Sequence, residues 1–571
     1  MKAPRRSMLL LLLALSACRG KSAQPTPPRS RQGESSAQFE DVTARARLDF
    51  RHFSGARGQK YLPETLGSGV CAFDYDGDHR TDLYFVNGAG LPSGQADSRP
   101  TNHLFRNRGD GTFEDVTVSS GTGDTGYGIG CAVGDYDSDG WIDLYVANFG
   151  ADVLYRNRGD GTFENATSAL GPGDASFSTG ATFVDVDSDG DLDLYVVDYL
   201  DYRTENNKYC GEMKAGYRAY CGPEVYPGSA NRLYRNDGNG RFTDISSASG
   251  AGKLEGKGLG ILAFDYDGDG DEDLFVANDG MANFLFRNDG RGRFQEVGLM
   301  SGVALSEEGT PRSGMGVDVG DFDGDGLPDL FIANLSFQSS SLYRNNGDGT
   351  FSERGLAAGI AGPTHLLTGY GAAFLDYDND GALDLFQANG NMMDNVSLYF
   401  DNISYREPAQ LFRNRGDGTF EDVTGRTAPC LAVPRVGRGS AVLDYDGDGN
   451  LDLVLVSAGA EARLFRNRGV PGHHYLRVLL QGTRSNRDGF GARLRIGAKG
   501  RIWTREAKAA SGYASQSEGV VHFGLGSLAR IDWLEVKWLD GTVDRVENPS
   551  VDQLVLVLEG SGQAEPIKPG R

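Results

Sequence analysis

Seven times this chain writes an acidic nonapeptide with Asp at positions one, three, five and nine, and no other feature restricts its fold as tightly. The copies are DYDGDHRTD (Asp74, Asp76, Asp78, Asp82), DYDSDGWID (Asp135, Asp137, Asp139, Asp143), DVDSDGDLD (Asp185, Asp187, Asp189, Asp193) and DYDGDGDED (Asp265, Asp267, Asp269, Asp273). They continue with DFDGDGLPD (Asp321, Asp323, Asp325, Asp329), DYDNDGALD (Asp376, Asp378, Asp380, Asp384) and DYDGDGNLD (Asp444, Asp446, Asp448, Asp452). Four carboxylates within nine residues repel one another, and such a turn is unstable unless a hard cation sits among them. Alternation at one, three and five points the side chains into one hollow, with room for a backbone carbonyl at position seven. This is oxygen-only chemistry suited to Ca²⁺, whereas Mg²⁺ demands stricter octahedral geometry and gives up its water reluctantly. Up to seven structural Ca²⁺ ions are expected; the alternative is a set of hydrogen-bonded Asx turns.

An EF-hand opens in the same way but needs Glu at position twelve and a helix on each side. Here position twelve is Phe85, Val146, Val196, Val276, Ile332, Gln387 and Leu455. The loops run directly into β-branched and aromatic segments such as DLYFVN, DLFVAN and DLVLVS, which read as strands. Gly fills position six in loops two to seven, where a sharp turn needs positive φ; loop one has His79 there, so its site is expected to be the weakest.

The unit around each loop is constant. A glycine-rich lead-in (GSGVCAF, GYGIGCAV, GRGSAVL) enters the loop, LFRN or LYRN follows the second strand, and a turn then leads to a strand such as FEDVT. The glycine pairs open strands rather than helices, so they are not dinucleotide-binding motifs. Four short strands per unit, with about 50 to 80 residues between successive loops, are the pattern of propeller blades. The last LFRN, at Leu464–Asn467, is followed by no FEDVT strand, while Phe39–Thr43 is an FEDVT with no LFRN before it. Pairing the two closes a ring and removes two sheet edges, so the expected fold is all-β: a seven-bladed propeller over 39–469, closed by its N-terminal strand. Arg-Gly-Asp recurs at Arg108, Arg158 and Arg415 where other units have NDGNG or NNGDG, so it reads first as the bend of a tight hairpin and only second as an adhesion tripeptide.

This pattern resembles the FG-GAP/VCBS repeats of integrin α-subunit propellers. From about residue 470 to 560 the sequence changes to a small β-rich domain. Within it the runs Asn486–Arg493 and Gly512–Gly526 and the turn Trp538-Leu539-Asp540-Gly541 resemble the ASPIC/UnbV domain. Together the two parts resemble the CRTAC (cartilage acidic protein) family. The turn departs from the more usual Trp-Pro-Asp-Gly and an EGF-like module is missing, which points to a bacterial form.

Residues 1–17 have a basic start (Lys2, Arg5, Arg6) and an apolar run from Met8 to Leu15, too short to span a bilayer, and read as a signal peptide. Leu15-Ser16-Ala17-Cys18 resembles a lipobox, in which Cys18 is lipidated. The expected product is an exported lipoprotein facing the periplasm or the cell exterior, held on the membrane by its acyl chains; an ordinary signal peptide is the alternative. Residues 18–38 are a polar tether and 561–571 a polar tail.

Two units are swollen, by Asp198–Ala230 and Asn391–Gln410. In an exported chain Cys210 and Cys221 are expected to form a disulfide, while Cys71 and Cys131 read as small buried residues. Tyr199, Tyr202, Tyr209, Tyr217 and Tyr220 would either line a ligand floor or pack on themselves. The formal net charge of −23 becomes about −26 once the leader is lost and about −12 with seven Ca²⁺ bound; nucleic acid is not an expected partner of so acidic a chain. No HExxH or Gly-x-Ser-x-Gly is present. The expected function is binding or adhesion toward an extracellular protein or glycan rather than catalysis; a polysaccharide lyase or hydrolase is the alternative.

Overall fold

Each acidic loop joins the first and second strands of a four-stranded antiparallel group. The computed structural model describes residues 38–91, 100–171, 175–238 and 240–568; Cys18 and the leader lie outside them. The first group contains Val70–Phe73, Asp82–Phe85, His103–Asn107 and Phe113–Asp115. Six further groups repeat this order, and their innermost strands lie side by side in chain order, with Gly437–Leu443 of the last beside Val70–Phe73 of the first. The seventh group takes its outer strand from the start of the chain, Phe39 facing Asn467 and Asp41 facing Phe465. The second and third groups are joined into one eight-stranded sheet, because Asp143–Ala151 and Ala175–Val184 run on past their loops and pair at Phe149 and Phe177. Apolar side chains of neighbouring groups interdigitate, as where Phe264 and Phe275 meet Val319 and Leu330.

The lead-in glycines have a packing reason. The second glycine of the pair is where the next innermost strand or the central segment comes closest: a Cβ on Gly316 would lie 2.0 Å from the Tyr370 carbonyl oxygen, and one on Gly69 would lie 1.6 Å from that of Ala514. No side chain fits there, which is a reason for glycine unrelated to nucleotide binding.

The C-terminal part is a sandwich of two four-stranded sheets around Leu476, Ile496, Phe523, Leu534 and Trp538. Its segment 511–518 enters the hole of the ring. Gly512 exchanges backbone hydrogen bonds with Val317 at 2.7 and 2.9 Å, the Ala514 carbonyl accepts from Cys131 N–H at 3.3 Å, and Gln516 pairs with the strand at Cys71. The Tyr513 ring is fully buried, 4.9 Å from that of Tyr370. Sequence reading treats the two parts as successive domains; the structure threads one into the other.

Cys71 and Cys131 form a disulfide, which corrects the expectation that they are unpaired. They hold equivalent places in the innermost strands of the first and second groups, and equivalent places in adjacent groups are neighbours in space. Cys210 and Cys221 are also joined, and Cys430 is a half-buried free thiol. Peptide mapping without reduction is expected to recover these two crosslinks and an unmodified Cys430; a crosslink through Cys430 would contradict this arrangement.

Candidate metal centres and their cover

The first aspartate of every loop turns back on its own backbone, accepting the N–H of position six at 2.7–3.1 Å. The fifth accepts from the N–H of position seven at 2.9–3.1 Å, which fixes the peptide between positions six and seven. Position six is left-handed in all seven loops, from Gly449 at φ 84° to Gly270 at 99°, and His79 takes φ 62° in loop one. A β-carbon there costs roughly 1–2 kcal/mol. Position four is left-handed as well (Gly77, Ser138, Ser188, Gly268, Gly324, Asn379, Gly447), a requirement the sequence reading passed over.

The ninth aspartate closes each loop. One oxygen accepts the position-two N–H at 3.0–3.2 Å. The other accepts the N–H of the asparagine that ends LFRN or LYRN, at 2.6–2.8 Å. The arginine before that asparagine reaches back over the loop, as Arg106 to Asp76 at 2.6 Å, Arg344 to Asp325 at 2.6 Å and Arg466 to Asp448 at 2.8 Å. In the third group Arg235 turns instead to Asp237.

Carboxylate oxygens of Asp74, Asp76 and Asp82 lie within 4.8 Å of one another; so do those of Asp135, Asp137 and Asp143, and those of Asp185, Asp187 and Asp193. Asp265 with Asp267 and Asp269, and Asp321 with Asp323 and Asp325, form equivalent groups. One oxygen each of Asp76, Asp137, Asp187 and Asp378, always position three, is buried with no hydrogen-bond partner. A buried anionic oxygen without a partner is costly, and three of the four residues, Asp76, Asp137 and Asp187, belong to the converging acidic groups above. The residues fit the ion that the sequence calls for, and in a loaded loop the cation would replace mutual repulsion of the carboxylates by attraction.

Burial sets the titration of the metal-free loops, lifting Asp135 and Asp185 to about 7, Asp329 and Asp376 to about 8 and Asp273 to about 9. A carboxylate whose folded pKa is raised keeps protons that the unfolded chain releases, so its contribution to stability is present at low pH and lost as pH rises. The chelated protein is therefore expected to melt at falling temperatures from pH 6 to pH 9. With calcium bound the slope reverses, because protons compete with the ion. Thermal scans at fixed ionic strength check both arms.

The C-terminal sandwich covers the face on which these loops lie. The position-six carbonyls of loops five, six and seven accept from Arg493, Arg505 and His522, the last two at 3.3 and 3.2 Å. Asp488 accepts the N–H of Asp135 at 2.8 Å, and Arg477 bridges Asp444 at 2.8 Å and Glu518 at 2.6 Å. Beside loops one, two and seven a cleft of about 750 Å³ stays open, lined by Trp141, Tyr475, Arg108 and Arg487 among others.

On the loop-rich opposite side, the tyrosines of the Asp198–Ala230 insertion do not form a floor. Tyr199 and Tyr202 are buried, Tyr220 donates to Glu64 at 2.9 Å, and Tyr217 meets Tyr399 of the second insertion at 5.8 Å between rings. Each Arg-Gly-Asp is a hairpin bend whose aspartate (Asp110, Asp160, Asp417) accepts from both the N–H and the hydroxyl of the threonine two residues on.

A family model for FG-GAP-like repeats matches residues 74–146, 135–196, 222–276, 265–332, 321–386 and 392–455. Every match ends in the strand behind an acidic loop, and the six matches together take in all seven loops. A model for ASPIC and UnbV matches residues 482–564. Among curated proteins, cartilage acidic protein 1 of Mus musculus is 27% identical over 493 residues (83% of this chain, 61% of that protein). The Homo sapiens protein of that name is 27% identical over 492 residues (83% and 60%). The Xenopus tropicalis protein is 32% identical over 290 residues (48% and 40%). The alignment thus spans about 60% of the length of the two mammalian relatives.

Proposed function

We propose, from the premise that this chain belongs to the FG-GAP-like repeat family with an ASPIC/UnbV domain behind the repeats and cartilage acidic protein 1 among its homologues, that it is a calcium-binding adhesion-type protein acting outside the cytoplasm. The observation that carries the calcium reading is the set of buried, unpartnered position-three oxygens in loops whose backbone is already fixed by positions one, five and nine. In this reading the ions are structural and the ring is a seven-bladed propeller. Cys18 carries the lipid that holds the protein at a membrane, and the ligand is an extracellular protein or a glycan.

The cleft beside loops one, two and seven is the place proposed for that ligand. Its volume lies in the range of ligand sites, its lining includes aromatic rings such as those of Trp141 and Tyr475 together with arginines and amides, and it borders the acidic loops one, two and seven. Calcium in those loops shapes the cleft, so binding follows calcium. Glycan arrays and immobilised matrix proteins probed with residues 38–571 test this: ligand retained in calcium, released by chelator and recovered unaltered supports the proposal. Turnover of a polysaccharide would replace it with the lyase or hydrolase reading, and binding indifferent to chelation would sink it. Replacement of Cys18 by serine is expected to move the expressed protein from the membrane fraction to the soluble one.

A further inference from the structure

Each LFRN or LYRN asparagine does more than close its own loop. Its buried side-chain amide donates to the position-eight carbonyl of that loop at 2.9–3.3 Å. The same nitrogen also donates, at 2.7–2.9 Å, to the position-two carbonyl of the loop in the preceding group. Asn157 reaches Tyr75, Asn236 reaches Tyr136, Asn288 reaches Val186, Asn345 reaches Tyr266, Asn414 reaches Phe322 and Asn467 reaches Tyr377. Asn107 closes the circle on Tyr445 of the seventh loop at 2.8 Å. A continuous belt of hydrogen bonds therefore passes through all seven loops and returns to its start.

We propose that this belt makes the seven loops load calcium cooperatively, each asparagine acting as a positioning residue between its own loop and the one before it. The inference rests on the calcium reading above. The position-two residue is the shared element: its N–H bonds the ninth aspartate of its own loop, and its carbonyl holds the next group's asparagine, as Tyr136 does between Asp143 and Asn236. An ion that orders one loop fixes that residue and so the next asparagine. The next asparagine's backbone N–H and side-chain amide then hold the ninth aspartate and the position-eight carbonyl of the following loop in place for its own ion. Coupling of this kind is a difference in binding free energy and is reciprocal between neighbours. Seven such steps in a closed ring favour empty and full states over partly filled ones.

Native mass spectrometry of the mature protein at half-saturating Ca²⁺ reads the distribution directly. The expected result is two populations, chains with no ion and chains with six or seven, and few in between. Asn157→Ala keeps the backbone bond to Asp143 but removes both bonds the amide nitrogen donates, along with the one its oxygen accepts from Gly159 N–H. It is expected to fill in the intermediate species and to weaken the last two ions by about tenfold. Seven ions distributed binomially in the unmodified protein would overturn the coupling and leave the calcium reading standing. No retained calcium at millimolar concentration would overturn both. The unmodified protein gives these outcomes without relying on any variant to fold.

Discussion

Exhaustive chelation is expected to lower the melting temperature of the protein by about 15–20 °C, and added Ca²⁺ to restore it where Mg²⁺ does not. A site occupied at a hundred times its dissociation constant contributes about 2.7 kcal/mol. Seven such sites on a chain whose unfolding entropy scales with roughly 530 ordered residues give a shift of that size. The effect is concentrated because the loops join the first two strands of every group: an emptied loop leaves buried carboxylates facing one another at the sheet ends, with burial already lifting Asp376 to about 8 and Asp273 to about 9. The measurement is a calorimetric or fluorescence melt in chelator, with calcium and magnesium returned separately. A shift of one or two degrees would mean that the loops stand as hydrogen-bonded turns.

Replacement of Arg477 by methionine is expected to cost about 3–5 kcal/mol, since its guanidinium is buried between Asp444 and Glu518 and its loss strands two buried carboxylates. Glu518 also accepts from Thr81 of loop one at 2.8 Å and from Asp444 N–H at 3.2 Å, so a single ion triad ties the sandwich to loops one and seven. The loss is expected to be larger in chelator than in calcium, because an ion in loop seven still meets the charge of Asp444. Arg545, whose partners Glu535 and Glu547 lie on the surface of the sandwich, serves as the comparison: its alanine variant is expected to leave the melting temperature where it was. Equal effects of the two substitutions would contradict a docked sandwich.

Much of this arrangement is legible in the sequence because it is written seven times. The acidic loops, the strands behind them, the hairpin role of Arg-Gly-Asp and the pairing of Phe39 with Asn467 all follow from comparing copies within one chain. The belt was readable by the same comparison: the asparagine after the arginine is unchanged at 107, 157, 236, 288, 345, 414 and 467, a repetition that a mere strand end does not require. Left-handed φ at position four was also on the page, in its restriction to Gly, Ser and Asn. Cys71 and Cys131 read as small buried residues of equivalent lead-in strands, yet once the ring is drawn those equivalent positions become adjacent and the two thiols meet.

What the sequence does not carry is written once and acts at long range. Nothing in the run from Ser511 to Glu518 signals that it fills the hole of the ring, because its partners Val317, Cys131 and Val70 lie hundreds of residues away and meet it through backbone groups together with the small polar side chains of Ser515 and Gln516, which the sequence gives no reason to place there. The tyrosine insertion reads from composition alone as a loop packing on itself, with a ligand floor as the second reading. It packs inward because Tyr199 and Tyr202 join Leu62, Phe177 and Tyr370 over the end of the hole.

Counting the metal in the purified protein tests the central claim most directly. Elemental analysis after gel filtration in calcium-containing and then calcium-free buffer is expected to return close to seven Ca²⁺ per chain, one for each loop from Asp74 to Asp452. One or two ions per chain, or none, would contradict the assignment and leave the position-three oxygens of Asp76, Asp137, Asp187 and Asp378 without a partner to explain them.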